Sequence, residues 1–114
     1  MPRVFLATAV LSLGVWASSA SAAQPIEGDW KTASGETARI TACDGRFCVT
    51  VVTGRFKDRR IGVLSGAGAA YKGTITDPKD NKTYDGYAAV TGATLKLKGC
   101  ALKIFCQIQT WTRP

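Results

Sequence analysis

Along most of the chain apolar and polar residues alternate singly, the period of a half-buried strand rather than of a helix. Ile26 to Thr32 reads as a short first strand, followed by a turn at Ala33-Ser34-Gly35. Glu36 to Cys43 sets Ala38, Ile40 and Ala42 against Thr37, Arg39 and Thr41. Phe47 to Thr53 is rich in Val and Thr, whose branched side chains suit a pleated surface. Gly54 to Arg60 is polar and reads as a loop, and Ile61 to Leu64 opens a strand that Ser65-Gly66-Ala67-Gly68 breaks. Tyr71 to Thr76 and Lys82 to Thr91 bracket Asp77-Pro78-Lys79-Asp80-Asn81, where Pro78 sets the turn and Asn81 accepts left-handed backbone. Ala93 to Gly99 sets Leu95 and Leu97 against Lys96 and Lys98, and a last strand runs through Gln107 to Thr112. Beyond the N-terminal apolar run no stretch sustains the helical period, so at most one turn of helix is expected.

About seven or eight short strands with turn signals between them fit a sandwich or an up-and-down barrel. The two ends of the chain favour the barrel. Gly28-Asp29-Trp30 opens the first strand and Arg113 stands just past the last, after Trp111. A Trp closing a barrel base, with a guanidinium stacked across its indole, is a cation–π contact of roughly 0.5–2 kcal/mol. The expected fold is therefore all-β: a small antiparallel up-and-down barrel of about eight short strands.

The first residues read as a signal peptide, not as part of the fold. Arg3 supplies the positive start, Val4 to Val15 is almost wholly apolar, and Ala20-Ser21-Ala22-Ala23 offers small residues for cleavage. The run is shorter than the roughly 20 residues a spanning helix needs. Residues 1–23 are thus expected to be removed and 24–114 to form one domain, exported to the periplasm or secreted, with no transmembrane segment. All four cysteines lie in that domain, an even number suited to an oxidising compartment. Cys43 and Cys48 flank Asp44-Gly45-Arg46-Phe47, and Cys100 and Cys106 flank Ala101 to Phe105. Read as hairpin loops of four and five residues, these spacings put each pair across its ladder, so Cys43–Cys48 and Cys100–Cys106 are the expected bridges. Each closes a short loop and contributes less than about 3 kcal/mol.

Without Arg3 the chain has 14 basic and 8 acidic side chains, spread except for Arg55-Phe56-Lys57-Asp58-Arg59-Arg60. That balance suits a solvated surface or an anionic envelope surface, lipid or glycan. No stacking motif with interleaved basic residues is present, so nucleic acid is not an expected partner. The chain has no His, which removes the commonest general base and metal ligand. Ser34 and Ser65 sit in glycine-rich turn contexts, and most carboxylates stand at turns or strand ends. Asp77, Asp80 and Asn81 lack the Glu that would complete a calcium loop. No catalytic residue, metal site or cofactor is expected, and the chain reads as non-enzymatic.

Gly28-Asp29-Trp30-Lys31-Thr32, Asp77-Pro78 with Lys82-Thr83-Tyr84, Leu95-Lys96-Leu97-Lys98-Gly99 and Gln109-Thr110-Trp111-Thr112-Arg113 together resemble an exported bacterial family, domain of unknown function family 2147. The resemblance spans the chain after the signal, and the closing Gln-Thr-Trp-Thr-Arg run is its most specific part. It implies a calycin-like barrel, akin to lipocalins, and lends no catalytic residue. Three positions depart from the family pattern: Tyr71 where Trp is frequent, Asn81 where Gly is frequent, and a shorter Gly54 to Arg60 segment. The expected function is a non-catalytic envelope barrel that binds a small or amphiphilic ligand at its open mouth. If Cys100 opposes Cys106, then Leu95, Leu97, Phe105 and Trp111 share the inner face with Gln107 and Gln109. The amides are then expected to be buried, and Tyr71, Tyr84, Leu95, Leu97, Gln107 and Gln109 to line the site. Small inner residues (Ala38, Ala42, Ala88, Gly73, Gly86) leave room for a cavity or mark strand crowding. The alternative is a structural or interaction protein that works through its basic surface.

Overall fold

The computed structural model describes residues 23–102 and 105–114; the expected signal peptide falls almost wholly outside them. Eight antiparallel strands follow one another around a closed barrel. They are β1 (Gly28–Lys31), β2 (Thr37–Cys43), β3 (Arg46–Val51), β4 (Arg60–Ala67), β5 (Ala70–Asp77), β6 (Lys82–Thr91), β7 (Thr94–Ala101) and β8 (Phe105–Thr112). Each strand from β2 onward pairs with its sequence neighbours, and a single residue pair, Lys31 with Thr112, joins β1 to β8. Alternation drives the fold directly: Ala38, Ile40, Val49, Val51, Leu64, Tyr71, Ala88, Val90, Leu95, Leu97 and Trp111 are buried in one cluster inside the wall.

One end of the barrel is sealed. The chain from Gln24 to Glu27 turns inward and buries Ile26 completely, and the Trp30 indole donates to the Ile26 carbonyl at 2.8 Å. The Arg113 guanidinium carbon lies 3.7 Å from the centre of the Trp30 ring. Its nitrogens donate to the carbonyls of Asp29 (3.1 Å), Pro25 (2.7 Å) and Glu27 (3.0 Å). Gly28 beside it has φ +114°, and a methyl group there would stand 2.9 Å from Arg113 Nη1. The position needs glycine both for its backbone and for the room.

Three sequence readings are corrected. Ser65-Gly66-Ala67 does not break β4: the strand runs through to Ala67, because Gly66, opposite Tyr71, lets the backbones of β4 and β5 approach closely. The Cys43–Cys48 loop is not a four-residue loop but a two-residue Asp44-Gly45 turn with both φ values positive, the requirement of a tight hairpin. Cys43 therefore opposes Arg46 and Cys48 opposes Thr41, so that bridge is diagonal, whereas Cys100 and Cys106 are directly opposed. The first strand is shorter than Ile26 to Thr32, because the entry turn takes Ile26 into the core and Thr32 already accepts the turn bond from Gly35.

Arg113→Ala removes the stacked cation and three carbonyl partners together. Urea unfolding should show a loss of about 2–4 kcal/mol. Arg113→Lys should recover less than half of it, because an ammonium cannot lie flat on the indole while reaching three acceptors.

Candidate functional site

The other end of the barrel is ringed by the β1–β2 turn, the loop between β3 and β4, the β5–β6 turn and the β7–β8 connection. Its wall is incomplete on one side. β1 stops at Lys31, level with Thr112, so from Phe105 to Trp111 no strand of the described residues pairs with β8 on that side. The register of β7 and β8 directs Trp111, Gln109, Gln107 and Phe105 to the same face as Leu95, Leu97 and Gly99. Trp111, Leu95 and Leu97 are buried, but Gln109, Gln107 and Phe105 remain exposed, Phe105 at 69%. The glutamines are inward-facing as their spacing demands, yet they are not the buried amides the sequence led us to expect. The missing neighbour strand is the cause.

The six residues read as a ligand site fall into two groups. Tyr71, Leu95 and Leu97 belong to the packed core, with Tyr71 edge-on to Phe47 at 5.5 Å and its hydroxyl donating to the Gly68 carbonyl at 2.7 Å. Tyr84, half-buried, and Gln107 and Gln109 stand toward the open end. Gln109 Oε1 accepts from the Trp111 indole at 3.1 Å, which leaves its NH2 group available. Gly73, Gly86, Gly99 and Gln107 form one row across β5, β6, β7 and β8. That row is crowded rather than hollow. A methyl group on Gly86 would lie 2.5 Å from Ile75 Cγ1, and one on Gly99 would lie 3.7 Å from Tyr84 Cβ. Ile75 and Tyr84 thus lean over the glycines and fill the space they leave. Ala42, on the overhanging tip of β2, is exposed.

The β3–β4 loop contributes what local patterning did not reveal. Phe56 folds back against the core and is flanked by the Arg55 and Arg59 guanidinium carbons at 5.4 and 5.8 Å from its ring centre. Arg59 also donates to Asn81 Oδ1 at 2.6 Å, tying this loop to the β5–β6 turn. Asn81 takes φ +58°, the left-handed conformation that a Gly at that position would adopt freely. With Lys57 and Arg60 exposed, this loop, at the same end of the barrel as the opening, is predominantly basic. Hollows elsewhere are shallow and lie on the outer wall, near Lys72, Asp85 and Tyr87 and near Thr91, Thr94 and Lys96. Among the described residues no three His, Cys, Asp or Glu side chains converge as a metal site would require, and no helix is long and apolar enough to cross a membrane.

Three groups have displaced pKa values: Asp29, its partner Arg39, whose value the pairing raises, and Tyr71. The Arg39 guanidinium donates to both Asp29 oxygens, at 2.7 and 3.1 Å, and holds that carboxyl below its ordinary value. Burial pushes the Tyr71 hydroxyl above the ordinary value of 10.0.

A small antiparallel eight-stranded barrel with one sealed end and one open side is calycin-like in form. Residues 59–113, from the end of the β3–β4 loop through β8, match a bacterial family described as uncharacterized protein conserved in bacteria (DUF2147). No curated protein and no solved structure matched the chain. The two disulfides point to an environment outside the reducing cytoplasm.

Because folding raises the Tyr71 pKa, its contribution to stability is complete below about pH 10 and is lost as pH rises through the folded value. An ultraviolet tyrosine titration should therefore show a phenol ionising above the ordinary value, and Tyr71→Phe should abolish that late step.

Proposed function

We propose that this protein is a non-catalytic binding barrel of the bacterial envelope, periplasmic or secreted, and that it takes a small anionic amphiphile at the open side of β8. One observation carries the reading: Phe105, Gln107 and Gln109 point into the barrel but are open to solvent. An apolar ring and two primary amides facing a solvent-filled opening are what an amphiphile uses, one part for the chain and the other for the headgroup. The basic rim of Arg55, Lys57, Arg59 and Arg60 adds attraction for negative charge. The core is filled from the sealed end up to Leu97, so the bound group lies in the side opening and not in a deep cavity. The absence of His from the chain, and of a serine in a nucleophile-elbow context, supports a role in binding rather than turnover.

Anilinonaphthalene sulfonate is a suitable first probe, since it pairs an aromatic body with one negative charge. It should bind saturably with enhanced emission, and Phe105→Ser or Gln107→Ala should weaken binding about tenfold, or 1.4 kcal/mol. Binding that does not saturate, or that ignores both substitutions, overturns the reading.

A further inference from the structure

We infer that the exposed edge of β8 is a self-association surface through which two copies of this chain pair as an antiparallel, two-fold dimer. The inference goes beyond ligand binding.

An uncovered strand edge displays unpaired N–H and C=O groups, and soluble proteins blunt such edges with charge, proline or a bulge. β8 carries none of these. It is the one strand of the eight without a charged residue, it has no proline, and its ladder with β7 is unbroken from Phe105 to Thr112. Its outward-facing Ile108 is 66% exposed, a large apolar side chain with nothing over it. A long, flat, uncharged edge of this kind is covered by another strand or it aggregates.

Two features select a second copy as the cover. The first is that each molecule offers one such edge. Among the described residues the other one-sided stretches are at most three residues long, among them Thr41 to Cys43 of β2, Ser65 to Ala67 of β4 toward β3, and Lys82 to Tyr84 of β6 toward β7. With one edge per molecule, edge-to-edge pairing satisfies both partners and stops at two copies instead of growing into a filament. The second feature is that the strand complements itself. An antiparallel pairing centred on Ile108 places Ile108 against its copy on the outer face, Cys106 against Thr110, and Gln107 against Gln109 on the inner face. The Gln109 NH2 group, left over from the bond with Trp111, then faces a Gln107 oxygen. The pairing uses residues 106–110 only and leaves the Lys31–Thr112 bridge intact.

Charge fits the same arrangement. A formal net charge of +7 makes two copies repel at most orientations. Among the described residues the cation nearest Ile108 is Lys98, its ladder partner on β7. Three strand spacings, roughly 14 Å, separate it from its copy in the dimer. That exceeds the roughly 8 Å screening length of physiological salt. A single added strand pair buries well under the roughly 1,200 Å² of stable complexes, so the dimer is reversible and concentration-dependent.

Sedimentation velocity on the oxidised protein, from micromolar to millimolar concentration, tests this. Wild type should shift from monomer to dimer, more readily at higher salt. Ile108→Lys sets two ammonium groups directly opposite each other and should weaken the dimer at least about tenfold. Ile108→Glu should do the same, and an equal mixture of the two should dimerise again, which a merely structural role for Ile108 would not produce. Should either variant fail to fold, amide exchange of wild type supplies the answer: protection of residues 106–110 should rise with concentration. A wild type that stays monomeric at millimolar concentration overturns the proposal. So do variants that dimerise like wild type, or exchange at 106–110 that is indifferent to concentration.

Discussion

The barrel depends on how its two ends are joined. Seven of the eight strand-to-strand junctions are ladders of at least four residue pairs, and the eighth is the lone Lys31–Thr112 pair. So little pairing cannot close a sheet by itself against the entropy of its termini. Arg113 makes the closure at the level of side chains. It leaves the end of β8, lies over Trp30 on β1, and satisfies the carbonyls of residues 25, 27 and 29. The carbonyls of Pro25 and Glu27 belong to a segment that turns inward instead of extending β1, and they would otherwise be short of donors. A planar fork with several donors and a face that stacks is the only side chain that meets all these demands at once. The positive φ of Gly28 follows from the same requirement, because the guanidinium occupies the place a side chain would need.

β1 is short at both of its ends. Before Gly28, Gln24 to Glu27 are committed to the plug, so β1 does not flank the tip of β2 past Ile40. After Lys31, level with Thr112, the chain turns back through Thr32 to Glu36 into β2. The exposed inner face of β8 and its unpaired edge are therefore products of the early β1–β2 turn. One short strand generates both the opening into which Gln107 and Gln109 look and the edge on which Ile108 stands.

This explains which parts of the structure were legible in the sequence. Alternation is a local property, and it located all eight strands and the inward set of Ala38, Ile40, Leu95, Leu97 and Trp111. Face is local, but burial is not. Gln107 and Gln109 share a face with Leu97, and sequence parity says so; their exposure depends on the length of a strand some 80 residues away. The glycines show a similar limit. Gly73 and Gly86 read equally as cavity and as crowding, and only the cross-strand register, which brings Ile75 over Gly62 and Gly86, decides for crowding. Phe56 was hidden for a further reason, since a single aromatic residue in a polar loop has no period to betray that it folds back onto the core.

The disulfides fall where β1 runs out. Beyond Ile40 the tip of β2 has β3 as its sole partner, and there Cys43 is bridged to Cys48 of β3. Before Thr112, β8 has β7 as its sole partner, and there Cys106 is bridged to Cys100 of β7. An isolated two-stranded ribbon is marginal in water, because each strand has half the cross-strand contacts of one inside a sheet. A covalent link between the two strands removes the open states such a ribbon would otherwise sample, and it does so whatever the small entropy of its short loop. The bridges thus compensate, at the two overhangs, for the shortness of β1 at its two ends. On the β8 side the compensation orders the exposed strand as well. It keeps an uncovered edge straight and in register, so that the inward amides hold their positions without a second neighbour to fix them.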